Sequence, residues 1–110
     1  MQTTTQELTE EERRAASSLI LLNPNVLIAQ YKNSKALAAE AETYSKAGNS
    51  LVAKNRFESA AKLALYEKDL PVAKAYLEKA LVIEKDPPFD IALSHFHNIA
   101  RFVAESYKST

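Results

Sequence analysis

The stretch that decides the fold runs from Asn55 to Lys85 and reads NRFESAAKLALYEKDLPVAKAYLEKALVIEK. Apolar residues recur at helical spacing on both sides of one interruption, Lys68 to Pro71. Alanine occupies the positions at which two helices would have to touch: Ala61, Ala73 and Ala80. Methyl-sized side chains let two helix backbones approach closely, and Phe57 and Leu77 would fill the grooves beside them. The stretch therefore predicts a tightly packed antiparallel pair of helices.

The length and composition of the chain indicate one globular unit. A chain of 110 residues supports one domain with a modest core. Its 46% content of hydrophobic residues is that of a globular protein and argues against disorder. We expect a single helical domain over residues 9–107, with frayed ends at residues 1–8 and 108–110.

The charge balance indicates which classes of partner to expect, and the absence of cysteine bears on the cellular compartment. Fourteen basic residues balance fourteen acidic ones, so no net charge attracts the chain to nucleic acid or to an anionic membrane. The chain has no cysteine for disulfides or thiolate metal sites. The apolar run Leu19 to Leu22 is far shorter than the roughly 20 residues of a membrane span, and no signal peptide is visible. We expect a cytoplasmic protein with no membrane partner.

Helix signals account for the sequence before the central stretch, and strand signals are nearly absent. Thr9 and Glu12 form a capping box, which predicts a first helix from about Glu10 to Leu22. A second helix is predicted from near Asn25 to about Ala47, where Gly48 supplies a left-handed stop.

Three more helices follow. The third begins at Asn49 or Ser50, and the fourth follows Asp69 as its N-cap. The fifth begins at Pro87, which Asp86 precedes as a capping residue. Connections of two to five residues make sequential helices antiparallel neighbours. We therefore predict an all-α fold, an antiparallel bundle of four to five helices around the central hairpin.

The inward-facing stripes of helices two to five supply the predicted core. Its members are Leu27, Tyr31, Ala38, Ala41, Tyr44, Phe57, Ala60, Ala61, Ala64, Leu65, Ala73, Leu77, Ala80, Leu81, Phe89, Ala92, Leu93, Phe96, Ile99, Ala100, Val103 and Tyr107. Each lies at a spacing of three, four or seven from a neighbour on its own helix, the repeat of one helical face.

Residues 54–87 resemble one tetratricopeptide repeat. The resemblance rests on one large aromatic residue, one large apolar residue and three small residues at the family's spacing, with a common ending. These are Phe57, Leu77, Ala61, Ala73 and Ala80, with the ending Lys79-Ala80-Leu81. Lys68 occupies the inter-helix turn, where glycine is common in that family. The resemblance implies a stacked helical hairpin that binds peptides.

A second resemblance covers residues 58–107, which look like the three-helix microtubule-interacting-and-trafficking domain. It rests on three runs: Ala61-Lys62-Leu63-Ala64, Tyr66-Glu67-Lys68-Asp69 and Ala73 through Ala80. Domains of that family hold a helical segment of a partner between two of their own helices. Both resemblances imply binding to a peptide or a protein.

One face of the third predicted helix is the candidate peptide-binding groove. Asn55, Ser59, Lys62 and Tyr66 share this face at spacings of three and four. In the tetratricopeptide resemblance, the first-helix face lines the concave groove. Lys62 would pair with an acidic group of the ligand, and Tyr66 would supply flat contact area. The alternative is an ordinary solvated face.

No catalytic, cofactor or metal site is expected. His95 and His97 invite a metal interpretation, but side chains two residues apart on a helix point about 200° away from each other. No Gly-x-Ser-x-Gly elbow surrounds a serine, and a single glycine cannot make a phosphate-binding loop. We therefore expect that the protein is not an enzyme.

Two alternatives to peptide binding stay open. Nucleic-acid binding would use the local basic cluster of Lys46, Lys54, Arg56 and Lys62, but acidic residues are interspersed among these lysines, which makes nucleic acid the weaker expectation. Self-association is suggested by apolar residues off the main stripes, which are Ile28, Leu63, Val82, Ile83, Ile91 and Phe102. The last four cluster around the junction of the fourth and fifth helices, where two copies would meet. The first two helices could instead fold back and cover them.

The sequence as a whole favours a non-enzymatic protein–protein interaction module or small adaptor. Its partner would be a peptide or a helical segment of another protein. The alternatives are a homo-oligomerising structural protein and a helical nucleic-acid-binding protein.

Overall fold

Seven α-helices follow one another along residues 8–108, the part of the chain that the computed structural model describes, and no strand lies among them. They are α1 (Glu10–Leu19), α2 (Pro24–Tyr31), α3 (Ser34–Lys46), α4 (Ser50–Tyr66), α5 (Leu70–Ile83), α6 (Pro87–Ser94) and α7 (Phe96–Lys108). The predicted all-α class is confirmed. The predicted count of four to five helices is too low, because two of the predicted helices are each broken in two.

The first break separates α2 from α3, in a segment predicted as one helix from Asn25 to Ala47. Lys32 has a φ of 74°, which ends α2, and Asn33 caps α3 by accepting a hydrogen bond from the Ala36 amide at 3.0 Å. The amide and the hydroxyl of Ser34 then donate to the Glu67 carboxylate at 2.9 and 2.7 Å. These polar side chains offer the backbone partners that compete with a continuous helix.

The second break separates α6 from α7, in a segment predicted as one helix from Pro87. His95 leaves the helical region with φ −122° and ψ 33°. Its Nδ1 lies 3.0 Å from Oε2 of Glu12 on α1. A contact to a residue far away in the sequence thus coincides with the end of α6.

The first helix has the predicted start and a different end. Thr9 Oγ1 accepts from the Glu12 amide at 3.1 Å, and Glu12 Oε1 accepts from the Thr9 amide at 2.8 Å, which confirms the capping box. The helix ends at Leu19, three residues before the predicted Leu22. The Leu21 amide donates instead to the hydroxyl of Tyr107 at 2.8 Å, so the chain leaves the helix to reach α7.

The central hairpin consists of α4 and α5, joined by residues 67–69. Ala61 and Ala73 are fully buried and Ala80 is 1% exposed, so all three alanines lie inside, as predicted. Asp69 occupies the N-cap position of α5 but makes no side-chain capping hydrogen bond, unlike the prediction for it.

The turns on both sides of α4 share one design. At the end of α3, the Gly48 amide donates to Ser45 and the Asn49 amide donates to Tyr44. At the end of α4, Lys68 and Asp69 repeat this pair of bonds with Leu65 and Ala64. Each turn needs one left-handed residue, and these are Gly48 at φ 85° and Lys68 at φ 68°.

The core has two clusters, and α4 contributes to both. The first cluster contains Ala61, Ala64 and Leu65 of α4 with residues of α1, α5, α6 and α7. The second contains Phe57, Ala60 and Leu63 of α4 with residues of α3 and α5, and the apolar side chains of α2 pack onto it. Since neighbours surround it on most sides, α4 is the central helix.

The predicted core is right in its centre and wrong at several peripheral positions. Leu63, predicted to lie off the main stripe, is fully buried, and so is Leu37, which the prediction omitted. A set of predicted core residues is only half-buried, because it lies at the edges of the clusters. These are Leu27, Tyr31, Tyr44, Leu93, Phe96 and Tyr107.

The predicted frayed ends fall mostly on residues 1–7 and 109–110, which lie outside the described residues. Leu8, also included in that prediction, is half-buried and packs against the first cluster. At the other end, α7 extends through Lys108.

Enlarging one buried alanine of the hairpin tests the close approach of its helices. We expect Ala73→Leu to lower the free energy of unfolding by about 1–3 kcal/mol, because the added side chain has no space between α4 and α5. Ala39→Leu, on the exposed side of α3, is the matched control and should change it by less than about 0.5 kcal/mol. Urea unfolding of both variants measures this, and equal effects would argue against the packing described.

Substitutions at the two left-handed turn residues are predicted to change the stability of the protein in opposite directions. Gly48→Ala should destabilise the protein by about 1 kcal/mol, purely through the backbone, since a Cβ there would meet nothing within 4 Å. Lys68→Gly should stabilise it by about 0.5–1 kcal/mol, because glycine adopts that conformation freely. Thermal unfolding followed by circular dichroism separates the two, and a destabilised Lys68→Gly would contradict the turn geometry.

Candidate functional site

The four residues of the predicted groove lie together on one face of α4, the side away from both core clusters. Asn55 is exposed, Ser59 and Lys62 are half-buried, and Tyr66 is 37% exposed. We call this set of four the α4 face. It is a mainly polar strip with one aromatic ring at its C-terminal end.

The aromatic end of the α4 face is engaged within the fold. The rings of Tyr66 and Tyr107 meet edge to face, with centroids 5.1 Å apart and an interplanar angle of 85°. Burial raises the pKa of Tyr107, whose hydroxyl accepts the hydrogen bond from Leu21. Tyr66 therefore already packs against α7, and only part of its ring is available to a ligand.

The basic residues around the α4 face differ in what they contact. Arg56 donates from Nε to Glu40 at 2.6 Å, and its guanidinium lies 5.8 Å from the centre of the Tyr44 ring. Tyr31 donates to the same Glu40 carboxylate at 2.8 Å. These contacts tie α2, α3 and α4 together, so Arg56 serves the fold.

Lys54 is at the centre of a second ion-pair group. Its Nζ lies 3.4 Å from Glu58, 3.5 Å from Glu84 and 3.8 Å from Asp86. Burial alone would lower the pKa of Lys54, but the three carboxylates outweigh it and raise that pKa. The group holds α4 against the segment between α5 and α6. With Arg56 and Lys54 both paired, the basic cluster offers less charge to nucleic acid than its sequence indicates.

Glu58 is the least exposed of the three carboxylates in this group. Its Oε2 is buried and accepts no hydrogen bond within residues 8–108, although Lys54 lies at ion-pair distance. Burial raises the pKa of the Glu58 carboxyl, and the charge of Lys54 only partly opposes this. The charged form of Glu58 is thus a cost to the folded state.

A second surface lies where the start of α5 faces α7. Two adjoining hollows there share Leu70 and His97, with volumes of about 450 and 320 Å³. We call the combined surface the α5/α7 groove. Its lining consists of Leu65, Lys68, Leu70, Pro71, Lys74, Leu93, Ser94, Phe96, His97, Ala100, Arg101 and Ala104.

The α5/α7 groove has an apolar floor and a basic rim. Leu65 and Ala100 at its base are almost fully buried, whereas Leu70 at its edge is 37% exposed. Lys68 and Lys74 are exposed and pair with no acidic residue among those described. The lining that the structure describes includes no acidic side chain.

The sequence prediction missed the α5/α7 groove, although part of its signal is visible. His97, Ala100, Arg101 and Ala104 follow one another at spacings of three and four, which marks a second stripe on α7. That this stripe lies beside the α4–α5 turn is a result of tertiary packing.

The predicted self-association patch is largely covered. Ile28 and Ile83 pack against the second core cluster and Ile91 against the first, while α1 covers part of α6 and α7. Val82 and Phe102 stay on the surface, at 86% and 36% exposure. The first helix thus fulfils the covering role that the sequence left as an alternative.

The two histidines near the junction of α6 and α7 contact different parts of the molecule. His95 faces Glu12, whereas His97 lines the α5/α7 groove. Within residues 8–108, no three histidine, cysteine, aspartate or glutamate side chains are grouped to hold a metal ion. Over the same residues, no helix combines the length and the apolar character that crossing a membrane requires.

Comparisons with protein-family models, with curated proteins and with solved structures found no match to this chain. The resemblances to the tetratricopeptide repeat and to the microtubule-interacting-and-trafficking domain therefore stay predictions from the residues.

The opposite pKa shifts of two glutamates predict opposite pH dependences. The pKa of Glu58 lies above its ordinary 4.5, so its contribution to stability falls as pH rises from below 4.5 through the raised value. Hydrogen bonds from Tyr31 and then Arg56 lower the pKa of Glu40, so its contribution is lost as pH falls from 4.5 through the lowered value.

Urea unfolding between about pH 3 and 7 tests both shifts against glutamine variants. The stability of the wild type minus that of Glu58→Gln should fall with rising pH, whereas the difference from Glu40→Gln should rise. Two differences with the same slope would contradict the environments described for these carboxylates.

Proposed function

We propose that the chain is a non-enzymatic protein-interaction module that binds a peptide or a helical segment of a partner protein. The observation that carries the proposal is the α5/α7 groove, which is lined by apolar side chains, with Leu70 37% exposed at its edge, and lies beside exposed lysines. Small domains cover apolar surface of this kind unless it serves a contact. Pockets that accept apolar anchors supply most of the binding energy in protein interfaces.

The α5/α7 groove supports the proposal better than the α4 face does. The groove offers apolar area for desolvation at Leu70, which is 37% exposed, and at the half-buried Phe96 and Ala104. The α4 face is mainly polar, and its one aromatic residue packs against Tyr107. We therefore assign the α5/α7 groove as the principal site and retain Asn55, Ser59, Lys62 and Tyr66 as a secondary contact.

The chemistry of the groove favours binding over catalysis. Ser94 and His97 line the same hollow, but no hydrogen bond joins their side chains. A serine nucleophile needs a base within hydrogen-bond reach, and that base needs a third group to orient it. The lining instead combines apolar side chains with cations, an arrangement suited to holding a ligand. The cysteine-free composition fits a cytoplasmic location for such a module.

Self-association through α5 and α7 is the second candidate function. It is favoured by Val82 and Phe102, which stay exposed on these helices. It is the weaker candidate because the other members of the predicted patch pack inside the molecule. Sedimentation velocity over a range of concentrations tests it directly, and a monomer throughout would remove it.

Selection from an unbiased displayed-peptide library tests the proposed function without assuming a ligand charge. We expect peptides to be enriched on the full chain and to lose at least about 10-fold in affinity, or about 1.4 kcal/mol, on Ala104→Arg. This substitution fills the floor of the groove at a half-buried helical position. Ala39→Arg, on the exposed side of α3, adds the same side chain elsewhere and should leave binding unchanged.

The same peptides also separate the two surfaces. Sensitivity to Lys62→Glu but not to Ala104→Arg would keep the interaction function and move its site to the α4 face. If the library yields no peptide that binds above background, the proposed function is wrong.

A further inference from the structure

The rim of the α5/α7 groove is charged with one sign. Lys74 lines one hollow of the groove and Lys68 lines the other, and Leu70 borders both. Neither Lys68 nor Lys74 forms an ion pair with an acidic residue among those described. Glu67 is held by the two hydrogen bonds from Ser34, and Asp69 is a single carboxylate at the turn. A ligand with negative charge would therefore gain from this rim.

The N-terminus of α5 adds to the positive electrostatic potential at the groove. The first turn of α5 contains no acidic residue, and Asp69 makes no capping hydrogen bond to it. Free amides at a helix N-terminus carry partial positive charge. Leu70 of this turn lines the groove and brings its backbone amide to the site where a ligand would bind, whereas Pro71 has no N–H to contribute.

The floor of the groove is shaped to admit a helix. Ala100 and Ala104 lie four residues apart on one face of α7, and the half-buried Ala104 is the part of this face that a guest can contact, because Ala100 is only 1% exposed. Small side chains on one helical face allow another helix backbone to approach closely, as Ala73 and Ala80, seven residues apart, do within the hairpin. Leu70 and Phe96 border the strip and leave recesses for apolar side chains of a guest.

We propose that the α5/α7 groove binds an acidic amphipathic helix of a partner protein. The apolar side of this helix lies on Leu70, Phe96 and Ala104, and its glutamates or aspartates face Lys68 and Lys74. This inference rests on the proposed function and adds the chemistry of the partner. Charge complementarity at the rim would raise the association rate and the specificity more than the affinity itself.

The chain itself offers a poor occupant for the groove. Within residues 8–108, the large apolar side chain with the greatest exposure is Leu22, and Val26 nearby is 58% exposed. The segment from Leu19 to Tyr31 that contains both has no acidic residue to pair with the rim. A partner of different sequence fits the groove better than a second copy does.

Synthetic helical peptides test the proposal. The probe is a fluorescein-labelled 16-residue peptide with leucines at helical spacing on one side and glutamates on the other. Two controls replace the glutamates with glutamine or with lysine. Fluorescence anisotropy should give at least about 10-fold tighter binding for the glutamate peptide, and its affinity should fall when NaCl rises from about 50 to 200 mM.

Matched charge reversals locate the binding site. Lys68→Glu with Lys74→Glu should weaken the glutamate peptide at least about 10-fold. Lys35→Glu with Lys46→Glu changes the net charge equally at exposed positions of α3 and should have little effect. Lys68→Gly with Lys74→Gln removes the rim charge without reversing it and relaxes the backbone at Lys68, so it should weaken binding even if the first variant folds poorly.

Three results would overturn the proposal. The first is equal binding of the glutamine or lysine peptide, and the second is equal loss in both charge-reversal pairs. The third is a dimer of the chain in sedimentation velocity that the peptide dissociates, which would assign the groove to self-association. If library peptides of another composition bind and are blocked by Ala104→Arg, the interaction function stands and only the acidic chemistry of the partner is wrong.

Discussion

The contact on which the rest of the structure depends is the close approach of α4 to α5 at three alanines. Ala61, Ala73 and Ala80 are almost completely buried, so the two helix backbones pack at a separation that larger side chains would prevent. With α5 this close, the remaining inward side chains of α4 have to face α3 on one side and α1 and α7 on another. The helix α4 therefore contributes side chains to both core clusters.

Polar contacts between distant parts of the chain decide where the outer helices end. Ser34 donates twice to Glu67, the Leu21 amide donates to Tyr107 across 86 residues of sequence, and His95 faces Glu12. Each contact lies at or next to the point where a helix stops. Each of these helices therefore ends where a distant residue supplies a hydrogen-bond or ion-pair partner. Without that partner, polar groups at the helix end would lose their hydrogen bonds to water and gain none in return.

The break at His95 also bears on the candidate site. It allows α7 to take its own direction beside the start of α5, with Phe96, Ala100 and Ala104 along the groove. The cations of the rim have no acidic partners in its lining, unlike Lys54 and Arg56, whose charges are used within the fold. Two exposed lysines, Lys68 and Lys74, pair with no acidic residue among those described and lie beside apolar side chains, and this combination distinguishes the surface.

The sequence alone determined the helical class, the central hairpin, the capping box at Thr9 and the stop at Gly48, because each depends on residues within a few positions of one another. It also placed Asn55, Ser59, Lys62 and Tyr66 on one face, since helical periodicity fixes that. Tertiary structure alone decided the breaks at Lys32 and His95, the burial of Leu37 and Leu63, and the position of the α5/α7 groove. These features depend on contacts between residues far apart in the chain. A local pattern of hydrophobicity does not indicate which distant residue will pack against a side chain or form a hydrogen bond with it.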